Sequence, residues 1–201
     1  EGGYPDIEYL GIMSKIENSY VNTVIKGHGE HIGGIVGRIV DPSELKYQEF
    51  KFASVHGNSA VTGGKNVGGF IGSATNCRLY FENCSVQPKG SSIMYVKGEE
   101  AVGGFIGDGL YCFSQLSNIK ISTNVTASGA YAGGFAGKLD NAFLTLNLSD
   151  FTFSNSCIIE AESDAGGFAG YLTGGTSLRG NSSIEFQNPT NTIPKEKEKA
   201  D

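Results

Sequence analysis

"AVGGFIGDG", residues 101–109, sets two adjacent glycines against a Phe–Ile pair and follows the pair with a third glycine, Gly107. Placing the most flexible residues beside the most apolar ones makes sense where the backbone must come close to something. That something is either a phosphate, cradled by exposed N–H groups, or another copy of the same segment. The phrase returns as "HIGGIVGRI" at 31–39, "NVGGFIGSA" at 66–74, "YAGGFAGKL" at 131–139 and "DAGGFAGYL" at 164–172. Its glycine pairs are Gly33–Gly34, Gly68–Gly69, Gly103–Gly104, Gly133–Gly134 and Gly166–Gly167, at periods of 35, 35, 30 and 33 residues. A repeat of this length marks a solenoid, propeller or array. A phosphate loop occurs once per nucleotide and leads into a helix with Lys–Ser/Thr. The residues after these phrases are Arg38, Ser73, Asp108, Lys138 and Tyr171, which share no chemistry. The repeat reading wins.

Within one period, short alternating or β-branched segments are separated by Gly, Asn, Ser and Pro turns. "YQEFKFASV", "RLYFENCSV", "SNIKIST" and "FLTLNLSDFTF" fill equivalent slots, and all read as strands. No stretch of ten residues carries a 3.6-residue apolar period. About three short strands per period cannot bury a face alone, so the periods must stack and cover one another. The expected fold is all-β: a right-handed parallel β-solenoid of about six coils, 30–35 residues each, over residues 1–190. A propeller blade would need four strands and a longer repeat. Strict alternation would set Val102, Gly104 and Ile106 on one face and Gly103, Phe105 and Gly107 on the other. Either the glycines bend the chain and turn Phe70, Phe105, Phe135 and Phe168 inward, or those rings form an external ladder.

Composition limits the partners. The 201 residues carry a formal charge of −6, which argues against nucleic acid, since that partner needs a clustered basic face. No apolar run approaches the length of a membrane span. No secretory signal is visible, and Glu1 in place of Met reads as a processed or excised start. Residues 191–201, with Pro194 and alternating Lys and Glu, read as a charged tail or an arm reaching another subunit.

The phrase, together with "KIENSYV" at 15–21, "YFENCSV" at 80–86, "QLSNIKI" at 115–121 and "RGNSSIEF" at 179–186, resembles the GLUG-motif repeats from about residue 9 to 187. Their pattern runs GG–apolar–apolar–G, a turn, then I-x-N-[SC]. The likeness weakens near Gln48–Glu49 and Asp150, where the Asn is missing. Such repeats occur in large secreted or surface-exposed proteins, including bacterial adhesins, usually outside any catalytic part. The resemblance therefore implies a non-catalytic structural or adhesive element, extracellular or at the cell surface.

Two cysteines fall in phase. Cys77 and Cys112 each stand eight residues after the second glycine of a phrase. In stacked coils they would be strand neighbours, within disulfide range, and a bridge would imply an oxidising compartment. The alternative is a pair of reduced, buried thiols. Cys84 and Cys157 are out of phase, and the spacings of 7, 28 and 45 residues suit zinc poorly. Sequons occur at Asn83, Asn124, Asn147 and Asn181, with Asn155 a weaker fifth. Asn83 and Asn181 share a slot with Asn18 and Asn118, so their amides could instead form a coil-to-coil ladder.

Catalytic groupings are lacking. Asp41, Asp108, Asp140, Asp150 and Asp164 fall in different slots, and the column Arg38–Ser73–Asp108–Lys138 reads as a solvated edge. His28, His31 and His56 are scattered, no Ser–His–Asp set repeats in phase, and no cofactor or metal is expected. In-register Thr ranks that would order ice are missing. Self-association end to end, into a glycosylated surface fibre, is the expected partnership, with other surface proteins or glycans as further partners. The rival reading is a carbohydrate-binding or carbohydrate-cleaving β-helix, which would show three carboxylates on one face.

Overall fold

The structure, a computed structural model, describes residues 13–41, 48–89, 94–146, 151–153, 157–180, 184–186 and 190–192. These residues form strands and turns with no helix, and the strands pair in parallel into four sheets of eight, six, five and five strands. This is the layout of a parallel β-solenoid.

One circuit shows how the sequence builds it. Cys77–Val86 lies in the long eight-stranded sheet, Tyr95–Gly98 in the second, Glu100–Gly103 in the third and Ile106–Leu110 in the fourth. Each pairs with its counterparts one period before and after: Leu79 lies between Phe50 and Ser114, Val96 between Val61 and Val125, and Gly103 between Gly68 and Gly133. Equivalent slots are thus direct neighbours. The period holds four strands, not three, because the glycine phrase itself splits in two around Gly104–Phe105.

That split resolves the alternation. Val102, Phe105 and Ile106 are all buried, and the rings stack inward: Phe70–Phe105 at 4.6 Å, Phe105–Phe135 at 5.5 Å and Phe135–Phe168 at 5.0 Å. Val102 packs with Val61, Val96 and Val125 in one core cluster, while Phe105 and Ile106 pack with Phe52, Phe81 and Leu116 in another. The phrase divides the two cores, and its glycines let the third and fourth sheets touch backbone to backbone. A Cβ on Gly107 would stand 2.6 Å from the Val67 nitrogen in the preceding period, and one on Gly104 would stand 2.1 Å from the Gly134 carbonyl oxygen.

The corners use different residues. Asn18, Ser54, Asn83 and Asn118 form one column at φ of 48–53°; His31, Asn66, Ala101 and Tyr131 form a second; Asn76, Tyr111 and Asn141 form a third. A left-handed residue in a strand resets the side-chain alternation. Phe52 and Val55, or Phe81 and Cys84, thereby all face the core across one such corner. Asn tolerates that backbone better than most residues. Thr190–Thr192 pairs with Ile158–Glu160, so the boundary expected at 190 falls inside a strand. Residues 193–201 lie outside those described.

Candidate ligand-binding face

The long sheet has the most strands of the four, and one of its sides faces outward. Alternation along Gln48–Gly57, Cys77–Val86 and Phe113–Ile121 buries Phe50, Phe52, Leu79, Phe81 and Leu116 wholly or partly, and turns their neighbours out. In-register stacking then lines up Glu49, Arg78, Phe113 and Phe143 in one column, and Lys15, Lys51, Tyr80, Gln115 and Thr145 in the next.

The chemistry of the two columns is mixed. Phe113 and Phe143 stack at 5.0 Å, and the Arg78 guanidinium sits 5.9 Å from the Phe113 centroid. Arg78 lies 3.5 Å from Glu49, and the Tyr80 hydroxyl donates to the same carboxylate at 3.3 Å. Burial, then the Glu49 charge, raises the Tyr80 pKa above its ordinary value, so the phenol stays a neutral donor. Lys51 bridges to Glu82 at 3.2 Å and Lys15 to Glu17 at 2.6 Å. A depression of about 350 Å³ opens between Lys51, Tyr80, Glu82, Gln115 and Ser117. An open groove with one aromatic flank and alternating donors and acceptors can hydrogen-bond a polyhydroxylated ligand and stack on its apolar faces. Three carboxylates do share this face, but each is paired to a cation. None is left in the apolar, unpaired setting that makes a general acid.

Beyond these columns runs the amide ladder. Asn118 Nδ2 donates to Asn83 Oδ1 at 3.0 Å, and Asn83 Nδ2 donates to Ser54 Oγ at 3.2 Å. The Asn83 nitrogen that a glycan would occupy is therefore already engaged. Asn124 opens the strand Asn124–Ala127, and its Oδ1 accepts from the Ile158 N–H at 3.0 Å. Asn147, Asn155 and Asn181 lie outside the described residues. Past the ladder, a second depression of about 290 Å³ is lined by Tyr20, His56, Ser85, Gln87 and Lys89.

Cys77 and Cys112 are brought together as thiols, with their sulfurs 3.5 Å apart in the core. Cys84 and Cys157 are buried elsewhere. The column Arg38–Ser73–Asp108–Lys138 is the solvated edge expected only in part, with Arg38 exposed and Asp108 and Lys138 half-buried. Ser73 is 2% exposed and hydrogen-bonds His31 Nδ1 at 2.8 Å, while Asp108 Oδ1 is buried with no partner. The reason is the third sheet, whose corner residues stand directly behind this column. His31 Nε2 is also 3.7 Å from Glu30. This Ser–His–Glu contact is a corner brace, because a serine so buried cannot reach a substrate. Among the described residues, no three His, Cys, Asp or Glu side chains gather as metal ligands.

The face of Tyr80, Arg78, Phe113 and Phe143 was not singled out from the sequence. Its signal was the odd-position polar and aromatic residues of "YQEFKFASV" and "RLYFENCSV", legible once the register is known. No protein-family model, curated protein or solved structure matches this chain.

Proposed function

We propose that this chain is a non-catalytic structural or adhesive element of the GLUG-repeat type, working outside the cell and joining end to end with copies of itself. In this reading it is a right-handed parallel β-solenoid of about six coils. Right-handed crossovers are the strong norm for parallel strands.

The supporting observation is where apolar surface is left uncovered. Ile16 is 37% exposed while its stacked neighbour Phe52 is 2%, and Leu172 is 56% exposed while its neighbour Leu139 is 2%. Val24 and Val40 at the first end, and Ile158 and Tyr171 towards the last, are exposed as well. At the first end a cavity of about 370 Å³ is lined by Ile16, Val36, Ile39, Phe50 and Phe52. Val36–Val40 and Ala169–Thr173 are the outermost strands of the fourth sheet, and such edges template further pairing. A head-to-tail contact buries both ends and repeats without closing. A glycan on Asn124, at the start of its strand, fits a surface location.

Sedimentation velocity and electron microscopy test this. Wild-type protein should form linear oligomers as concentration rises, and Val40→Lys with Leu172→Lys should leave folded monomers. A wild type that stays monomeric throughout would sink the assembly reading. A second reading, glycan binding on the long face, is favoured by the Phe113–Phe143 stack beside the Lys51–Tyr80–Gln115 groove. Retention on a polysaccharide column, lost on Tyr80→Ala, would support it. Release of reducing ends would turn it towards cleavage.

A further inference from the structure

We propose that Cys77 and Cys112 are the two halves of a coil-to-coil disulfide, formed by exchange with a small-molecule disulfide as the chain folds. Phe113 pairs with Arg78, so Cys112 lies directly beside Cys77 on adjacent parallel strands. Strands so paired stand about 4.8 Å apart, inside the Cα separation that a disulfide accepts. The sulfurs are already 3.5 Å apart, and the residues are 0% and 3% exposed. Closing the bond requires the sulfurs to approach from 3.5 Å to about 2.0 Å.

The surroundings favour this pair over others. Gln48 flanks Cys77 in its column and Ala142 follows Cys112, so no further thiol competes there. Cys84 lies between Val55 and Ile119 in a different column, its Sγ donating to the Phe52 and Glu82 carbonyls at 3.4 Å. Cys157 precedes a strand of the second sheet. No loop needs to move and no strand needs to shift register.

The chemistry is a two-step exchange. The thiolate of one cysteine attacks glutathione disulfide, forming a mixed disulfide and releasing one glutathione thiolate. The second cysteine, deprotonated, attacks the protein sulfur of that mixed disulfide and releases the second glutathione. Two protein thiols are oxidised and one disulfide is reduced to two thiols. The hydrogen bond between the two thiols, reinforced by burial, holds the native Cys77 thiol well above its ordinary pKa. Attack therefore belongs to the folding chain, where the thiolate is accessible, and the finished core shields the bond from reductant.

Trypsin separates the four cysteines into residues 66–78, 79–89, 98–120 and 139–179. Reduced, unfolded protein is refolded in a glutathione redox buffer, blocked with iodoacetamide in denaturant and digested without reduction. The expected product is 66–78 linked to 98–120, with 79–89 and 139–179 alkylated. Reduction should then lower the melting temperature by about 10 °C, from loop-closure entropy and the usual scaling for this size. Cys112→Ala should show no such reductant-dependent drop. Recovery of both 66–78 and 98–120 alkylated from protein with a native circular dichroism spectrum overturns the proposal, as does a link to either other peptide. The wild-type digest decides even if the variant fails to fold.

Discussion

Two surfaces of the same solenoid differ in what they tolerate. Where the third and fourth sheets meet, backbone lies on backbone and a single methyl has nowhere to go. A Cβ on Gly137 would stand 2.3 Å from the Ala101 carbonyl carbon and the Val102 nitrogen, and on Gly72 and Gly170 the clashes recur. On the outer face of the long sheet the columns change identity freely, from Glu49 to Arg78 to Phe113 within one register position. The chain repeats strictly where geometry forbids a side chain and varies where water accepts any. What looks like a glycine motif is thus the record of two sheets in contact.

The sharpest way to break that contrast is to add one carbon on each side. Gly107→Ala puts its methyl against the Val67 nitrogen and the Gly72 carbonyl oxygen, neither of which can swing away. The expected loss is about 3 kcal/mol or more, with folding failure the extreme outcome. Ser117→Thr, which adds its methyl on the outer face, should change stability by less than about 0.5 kcal/mol. Urea unfolding of both variants checks the pair. Equal small losses would mean the two sheets are not in contact.

A subtler test sits behind the same wall. Asp108 stands among Lys138, Asp140, His31 and Glu100, and burial raises its carboxyl pKa above 3.8 despite the favourable Lys138 charge. A raised native pKa means the native state holds its proton more tightly than the unfolded chain. Stability is then greatest below the unfolded value, falls as pH rises through the native one, and stays lowered at neutral pH. Asp108→Asn removes that charge in the same shape, so it should stabilise the protein at pH 7 by about 1 kcal/mol. The gain should vanish near pH 3, where the wild-type carboxyl is protonated. Thermal melts across that range give the answer, and a pH-independent difference would mean Asp108 ionises freely.

These contrasts also explain what the sequence revealed and what it hid. The period, the parallel stacking and the Cys77–Cys112 neighbourhood follow from repetition, because identical slots must overlie one another, whereas the side to which the Phe rings turn does not. The fourth strand was hidden because a two-residue bend inside GGFIG looks like one apolar run. Ser73 and Asp108 were misread because polar residues in a short strand normally face water. Only the third sheet, with His31 42 residues away from Ser73 in sequence, encloses them. The long face was hidden for the opposite reason: its residues do not repeat, and register alone gathers them.

The smallest effect expected is also the one that tells the face from the fold. Lys51 and Glu82 form an ion pair at 3.2 Å, with Glu82 63% exposed. Such a pair contributes about 0.5 kcal/mol or less in water, and less again in salt. Lys51→Ala should therefore leave unfolding nearly unchanged, and a Lys51→Ala/Glu82→Ala double-mutant cycle should return a coupling near zero. If Lys51 serves the groove beside Tyr80, the same substitution should still weaken polysaccharide retention several-fold while the melting temperature holds. A variant that loses stability and retention together would make Lys51 part of the scaffold. One that loses neither would move recognition off this face and onto the ends of the solenoid.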